Sequence, residues 1–419
     1  MSYKKTRLLI ALLGIVLLSG LLAAASGCND NNSDDDDDAA QDDDDISEDD
    51  TVDDDDTADD DDEQPPPDCE GTPDYQSSSQ IIRGPYLQHV TQNSIRLMWE
   101  TAEPANTIVK WGPSTTLGWS FCHWDESTHH EVELVDLDLG TNYEYVVRSN
   151  GEQSPMHSFA TAPAVDSPFK FAVLADSHVV PDIHGIVVDS VIEADPDIVL
   201  YAGDLTVDGR NREEFDEGFF IPGAELFAEK PIYALLGNHE KETEYFFELF
   251  SYPEPERWYS FSYGNVRFIG LDTNWLHVPG STQYQWFEQQ LAQANEDVEV
   301  EWIVVYAHHP AYCEGWGHPG YDGEPGVRHI LRPLMEQYGV DLYFSGHAHD
   351  YERGEMGGVT HIITGGAGGA LDSFQKDWEH IVVYQPFHHF TLVQVQGKTL
   401  TIEAQTPEGV LLDHFTLNH

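Results

Sequence analysis

From Phe169 onward, short apolar runs alternate with longer amphipathic stretches, and five of the runs end in a polar cluster. The clusters are Asp176-Ser177-His178, Gly203-Asp204, Gly237-Asn238-His239-Glu240, His308-His309-Pro310 and Gly346-His347-Ala348-His349. A strand buried on both faces reads as a continuous apolar run, whereas a helix spaces its apolar residues three to four apart. The pattern therefore specifies an α/β domain. Strands are expected at 171–174, 198–201, 232–235, 266–271, 303–306 and 342–344, with helices at 184–194, 213–227, 242–250, 282–294 and 327–338. Alternation returns at 389–395, 399–405 and 410–417, which are expected to close the domain as antiparallel strands.

Loops leaving the carboxyl ends of such strands converge on one rim, where α/β sheets bind their ligands. A single polar cluster there is usually a cap or a solvated loop. Five in succession place seven donors together: Asp176, His178, Asp204, Asn238, His308, His347 and His349. Carboxylate, amide and imidazole in one set suit metal ions such as Fe, Mn or Zn.

Upstream, residues 81–162 read as short alternating segments with turns between them, an all-β sandwich. Ile95, Leu97 and Trp99 share one strand face, 108–111 and 143–147 follow, and Phe159 to Pro163 forms a last strand and linker. The stretch Leu139-Gly140-Thr141-Asn142-Tyr143 resembles the corner of fibronectin type III domains, which implies that the Tyr143 hydroxyl ties back to nearby backbone. A packing and spacing role without chemistry of its own is expected for this module.

The first residues have the form of an export signal, 1–27, with Lys4, Lys5 and Arg7 before an apolar run from Leu8 to Leu18. Ala25-Ser26-Gly27-Cys28 resembles a bacterial lipobox, which implies a lipid on Cys28 and an exported protein anchored to a membrane or cell surface. A secreted protein cut near Ala25 is the alternative. Residues 28–78 are runs of Asp ending in three prolines, an expected disordered tether. Against 76 Asp and Glu there are 19 Lys and Arg, a formal net charge of −57. Such a field repels nucleic acid and anionic bilayers, so no nucleic acid is expected as a non-specific partner, and membrane contact only through the anchor. Beyond Cys28 three cysteines remain; Cys69 with Cys122 is the preferred pair, although the sequence does not decide it.

Taken together, the motifs Asp-x-His, Gly-Asp, Gly-Asn-His-Glu, Val-x-x-His (Val305 to His308) and Gly-His-x-His resemble the metallophosphoesterase, or calcineurin-like, superfamily across 169–417. The resemblance implies a β-sandwich flanked by helices over 168–419, preceded by a fibronectin III-like domain over 79–163. It also implies one metal held by Asp176, His178 and His349, another by Asn238, His308 and His347, and Asp204 bridging them. More narrowly, Gly346 to Arg353 and His308-His309-Pro310-Ala311-Tyr312 are similar to the purple acid phosphatases, which carry a fibronectin-like domain at the same place. That likeness implies a substrate-contacting His ten residues beyond His308, which is His318. Val207 stands where the purple enzymes place a Tyr ligand, so His178 is expected to take that coordination place and the protein not to be purple.

The chemistry expected of this set is hydrolysis of a small phosphate ester, a monoester first and a diester as the alternative, by hydroxide generated at two metals. A covalent phosphoenzyme is not favoured, because no Ser or Cys stands beside a base. His239 is the candidate general acid, and Asn238 and His318 the candidate phosphate contacts. A reading from another class makes the chain a surface-tethered binding protein on a phosphatase-like scaffold. Gly365 to Gly369 reads as a tight turn after a strand at 361–364, since no Lys-Ser or Lys-Thr follows it. Trp316 stands beside the expected site.

Overall fold

The computed structural model describes Cys69 and residues 80–419. The signal segment, Cys28 and, Cys69 apart, the Asp-rich stretch lie outside the described residues.

The leading module is all antiparallel: β1 (Ile81–Gln88), β2 (Ile95–Gly112), β3 (Trp119–Leu134), β4 (Asn142–Ser149), β5 (Glu152–Gln153) and β6 (His157–Ala160). The runs expected at 95–99 and 108–111 are one strand of 18 residues. It pairs with β1 over its first third and, beyond an irregularity, with β4 over its last. Ile95, Leu97 and Trp99 are fully buried on it. The corner is present, for the Asp138 backbone N–H donates to the Tyr143 hydroxyl at 2.8 Å. Cys69 and Cys122 form a disulfide beside Ile108, and Cys313 is buried and free.

The second module is two sheets packed face to face. One contains β7 (Phe169–Leu174), β8 (Ile198–Tyr201) and β9 (Ile232–Ala234), in parallel; the other contains β10 (Tyr259–Tyr263), β11 (Val266–Leu271) and β12 (Trp302–Ala307). A short ribbon strand, β13 (Gly315–Trp316), precedes β14 (Leu342–Ser345), β15 (Tyr351–Met356) and β16 (Val359–Thr364) of the second sheet. Then come β17 (Ser373–Phe374), which pairs β13, and β18 (Ile381–Gln385) on the edge of the second sheet. β19 (Phe390–Gln396), β20 (Thr399–Gln405) and β21 (Leu411–Asn418) complete the first sheet in antiparallel order.

Strand alternation explains the two-sided burial. On β12, Trp302, Val304 and Tyr306 face the inter-sheet core, where the Phe171 ring meets Phe268 at 5.1 Å. Ile303, Val305 and Ala307 face outward, in a second cluster that includes Phe287 and Leu291 of a covering helix. With both faces covered, the whole strand is apolar and ends only where the polar rim begins.

The helices are α1 (Pro181–Ala194), α2 (Arg212–Phe215), α3 (Ile221–Glu229), α4 (Glu244–Leu249), α5 (Thr282–Glu296) and α6 (Arg332–Gln337). The segment expected as a single helix at 213–227 is interrupted by a π-helical turn, Asp216–Phe220, and that at 327–338 opens with one, Val327–Leu331. Pro222 and Pro333 stand in the first turns of α3 and α6. Each lacks an N–H and crowds the preceding turn, so the chain widens just ahead of it.

The first sheet runs through both modules, because β1 pairs in parallel with β9 at Gln88 and Ile232. Side chains reinforce the joint. The Tyr145 hydroxyl donates to the Ala228 carbonyl at 2.6 Å, Tyr86 to Leu249 at 2.9 Å, and Arg83 makes two 2.6 Å bonds to Asp216. Arg83 and Arg212 also reach Glu100 from the two modules.

Candidate metal centre

The rim residues are held where strands stop and backbones come close. Asp176 follows β7, Asp204 follows β8, and His347 follows β14; their φ values of 60°, 55° and 70° lie in the left-handed region. Such conformations cost of order 1–3 kcal/mol each and persist where the surroundings fix them. A Cβ on Gly237 would sit 2.1 Å from Asp204 Oδ1, and one on Gly203 2.7 Å from the Gly237 nitrogen. The two glycines therefore let the second and third motifs touch.

Glu240 clips these loops together. Its buried carboxylate accepts from the backbone N–H groups of Gly237 at 2.5 Å, Asp204 at 3.0 Å and Leu205 at 2.7 Å. Burial, and then the charge of Asp204, raise Glu240 to about 8. The Gly365–Gly369 turn presses from the other side: a Cβ on Gly365 would meet the Ala348 carbonyl at 2.0 Å, and one on Gly369 the His349 ring at 2.6 Å.

The seven donors come together. Asp176, His178 and His349 place ligand atoms within 4.8 Å of one another, and so do Asp176, Asp204 and His308. His308 Nε2 lies 3.0 Å from Asn238 Oδ1, 3.0 Å from His347 Nδ1 and 3.2 Å from Asp204 Oδ2. Asp204 thus stands between the group of Asp176, His178 and His349 and the group of Asn238, His308 and His347.

The other ring nitrogens decide the chemistry. His178 Nδ1 lies 3.2 Å from the Asp204 carbonyl, His308 Nδ1 3.0 Å from that of Ala202, and His349 Nδ1 2.8 Å from that of Ala370. A carbonyl can only accept, so each Nδ1 carries its proton and each Nε2 turns inward, as in metal-binding imidazoles. His308 Nε2 has at most one proton for three acceptors, and Asp176 Oδ1 is buried with no hydrogen-bond partner. Cations satisfy that surplus of acceptors, and the donors present fit them.

Electrostatics agree. Burial would raise Asp204, but His308, His178 and His239 outweigh it and hold the carboxylate far below its usual range. Burial opposes charge on His308 and His349, yet Asp204 raises the first and Asp176 the second, each to about 9. Burial, then His308, push His347 well down, into the neutral form that ligates.

Above the donors lies a cleft of about 250 Å³ lined by Asp204, Asn238, His239, Trp316, Gly317, His318, His347, His349 and Asp372. His239, His318 and Trp316 are therefore all at the site. A larger cleft, about 660 Å³, opens near Glu100 between the modules, but its lining includes none of the seven donors, and the chemistry favours the smaller one. Two participants carried no sequence signal: Asp372, whose carboxylate accepts from the His349 N–H at 2.8 Å, and Thr273, bonded to His309 at 2.8 Å. Glu240 had a readable one, a carboxylate three residues after a turn glycine, positioned to reach back to backbone N–H groups.

Residues 169–351 match the family of the calcineurin-like phosphoesterases, and residues 84–161 match the purple acid phosphatase N-terminal domain. Purple acid phosphatase 1 of Ipomoea batatas is 26% identical over 312 residues, 65% of this chain and 65% of that protein. A probable inactive purple acid phosphatase 27 of Arabidopsis thaliana is 28% identical over 265 residues, 53% of this chain and 43% of that one. The chain thus spans between 43% and 65% of the length of these two relatives. Among solved structures, a purple acid phosphatase from yellow lupin (Lupinus luteus) seeds superposes with a TM-score of 0.71 at 20% identity, over 80% of this chain and 74% of its own. PhoD does so with a TM-score of 0.62 at 12% identity, over 80% and 89%.

Proposed function

We propose that the chain hydrolyses phosphate monoesters at a two-metal centre, a reading supported by the match of residues 169–351 to the calcineurin-like phosphoesterases and of residues 84–161 to the purple acid phosphatase N-terminal domain. The observation that carries this reading is the complete donor set, in which three of the histidines fix their tautomers on backbone carbonyls. One relative is described as probably inactive, so likeness alone does not carry activity.

Two bound cations would lower the pKa of a shared water and offset charge on the phosphoryl oxygens. Around them the chain's residues have distinct tasks. Asn238 and His318 contact the phosphate, and His239, with both ring nitrogens protonated, gives its Nε2 proton to the departing alcohol while Nδ1–H stays on the Val207 carbonyl. Phosphorus gains the water oxygen, the P–O bond to the alcohol breaks, and the alcohol leaves protonated.

A diester is the second reading, because the cleft lining contains neither Lys nor Arg and a diester brings one negative charge fewer. Turnover of phenyl phosphate against its methyl ester by purified, metal-supplemented protein tests the choice. Faster cleavage of the diester would replace the monoester reading; inactivity on both, with the metals bound, would leave the scaffold reading. As for location, we propose export and lipidation at Cys28, so that Cys28→Ser should release the protein from the membrane fraction or leave it uncleaved. Unchanged attachment would contradict that part.

A further inference from the structure

The cleft has a polar floor and apolar lips. His178 and His239 stack at 4.5 Å on one side, and beside them stand Val179, 48% exposed, and Val207, 46% exposed. Val179 has a φ of 81°, a left-handed backbone that β-branched residues rarely adopt. The loop therefore holds an apolar side chain out in solvent directly after His178. Across the cleft, Trp316 lines the wall with its ring 4.7 Å from His347 and 4.4 Å from Tyr321. Pairing of Trp316 with Ser373 fixes that wall, and Leu371, 40% exposed, precedes the lining residue Asp372.

Trp316 in the cleft wall, with exposed valines beside the lining residue His239 and its stacking partner His178, offers an alkyl group an apolar surface. The lining has no Lys or Arg and includes Asp372, so an alcohol carrying further phosphate or carboxylate groups would meet a like charge and no cationic side chain of Lys or Arg.

We infer that the cleft selects phosphate esters of apolar alcohols, with the phosphoryl group over the donor floor and the alkyl or aryl group between the valines and Trp316. The occupant is a small soluble ester, since the acidic surface repels an anionic bilayer. This specificity rests on the phosphoesterase reading above.

The test is a series of ethyl, butyl, hexyl and octyl phosphates, whose alcohols leave with nearly equal ease, so that chain length changes contact and not chemistry. A fully buried methylene is worth about fourfold in affinity, and partial burial predicts a rise in kcat/KM of about tenfold or more from ethyl to hexyl. Trp316→Ala and Val207→Ser, the latter keeping its backbone carbonyl, should each flatten the rise. Measurable turnover without chain-length dependence overturns the inference and leaves the phosphoesterase reading standing. If no ester turns over, that reading fails, and calorimetry with ethylphosphonate and hexylphosphonate decides the inference alone: equal affinities overturn it. Preference for phosphatidic acid vesicles with a flat soluble series also overturns it, by placing recognition in the bilayer.

Discussion

His239 Nδ1 lies 2.6 Å from the carbonyl oxygen of Val207, which commits its proton and turns Nε2 toward Asp204 Oδ2 at 4.0 Å. The residue standing in the tyrosine-ligand position of the purple enzymes thus orients, through its backbone, the candidate acid. His239 is one-third exposed and lines the cleft, with ligand atoms of His178 and Asp204 within 4.8 Å.

A general acid acts mainly in the transition state, so His239→Ala should lower kcat while leaving metal content and substrate affinity largely intact. Loss should be about tenfold to a hundredfold greater for alkyl than for nitrophenyl phosphates, because an alkoxide needs the proton and a nitrophenolate does not. Equal losses on both, with chemistry rate-limiting, would make His239 a phosphate-positioning residue and move the acid to His318.

Colour tests the ligand set separately. The Val207 side chain is exposed and offers no donor, and the ring of Tyr321 lies 5.1 Å from His347. Iron-loaded protein should therefore show no intense visible band from a tyrosinate ligand. A purple preparation whose band survives His178→Ala but not Tyr321→Phe would contradict the assignment of His178.

The joint between the modules predicts a pH dependence. Burial would raise Glu100, but His129, Arg212 and Arg83 outweigh it and lower the carboxyl from 4.5 to about 2. Its folded pKa is depressed, so the stability it contributes is complete above about pH 4.5 and is lost as pH falls towards 2. Glu100→Gln removes one of two acidic partners from each guanidinium, since Arg83 keeps Asp216 and Arg212 keeps Glu248, and should cost about 2 kcal/mol near neutrality. Urea midpoints should show a smaller cost at pH 3 than at pH 7; the same cost at both would mean that the charge of Glu100 is not what matters.

Much of this site could be read before folding, because each motif is local: an apolar run sets a strand, and the polar residues at its end reach the rim. Asp176, His308 and His349 meet because β12 and β14 are neighbours and β7 faces them across the core. What the periods do not carry is contact between distant segments. Glu240 gathers N–H groups from two loops, and Asp372 supports His349 from 23 residues away. Nor did alternation reveal that β1 would pair with β9 and make one sheet of two modules, since one register pair at Gln88 leaves no pattern. The two π turns were invisible for another reason: apolar spacing at 213–227 and 327–338 fits an α-helix until the prolines intervene.

Asp204 is placed between both donor groups, with Oδ2 3.2 Å from His308 Nε2 and its backbone carbonyl 3.2 Å from His178 Nδ1. The most direct measurement is metal content and phenyl phosphate turnover determined together, on the native chain and on Asp204→Asn. The account predicts close to two ions per native chain, activity lost on chelation and restored by metal, and both quantities falling together in the variant, turnover by about a hundredfold or more. Two ions retained with native turnover in Asp204→Asn, or native turnover that survives removal of the metals, would contradict it.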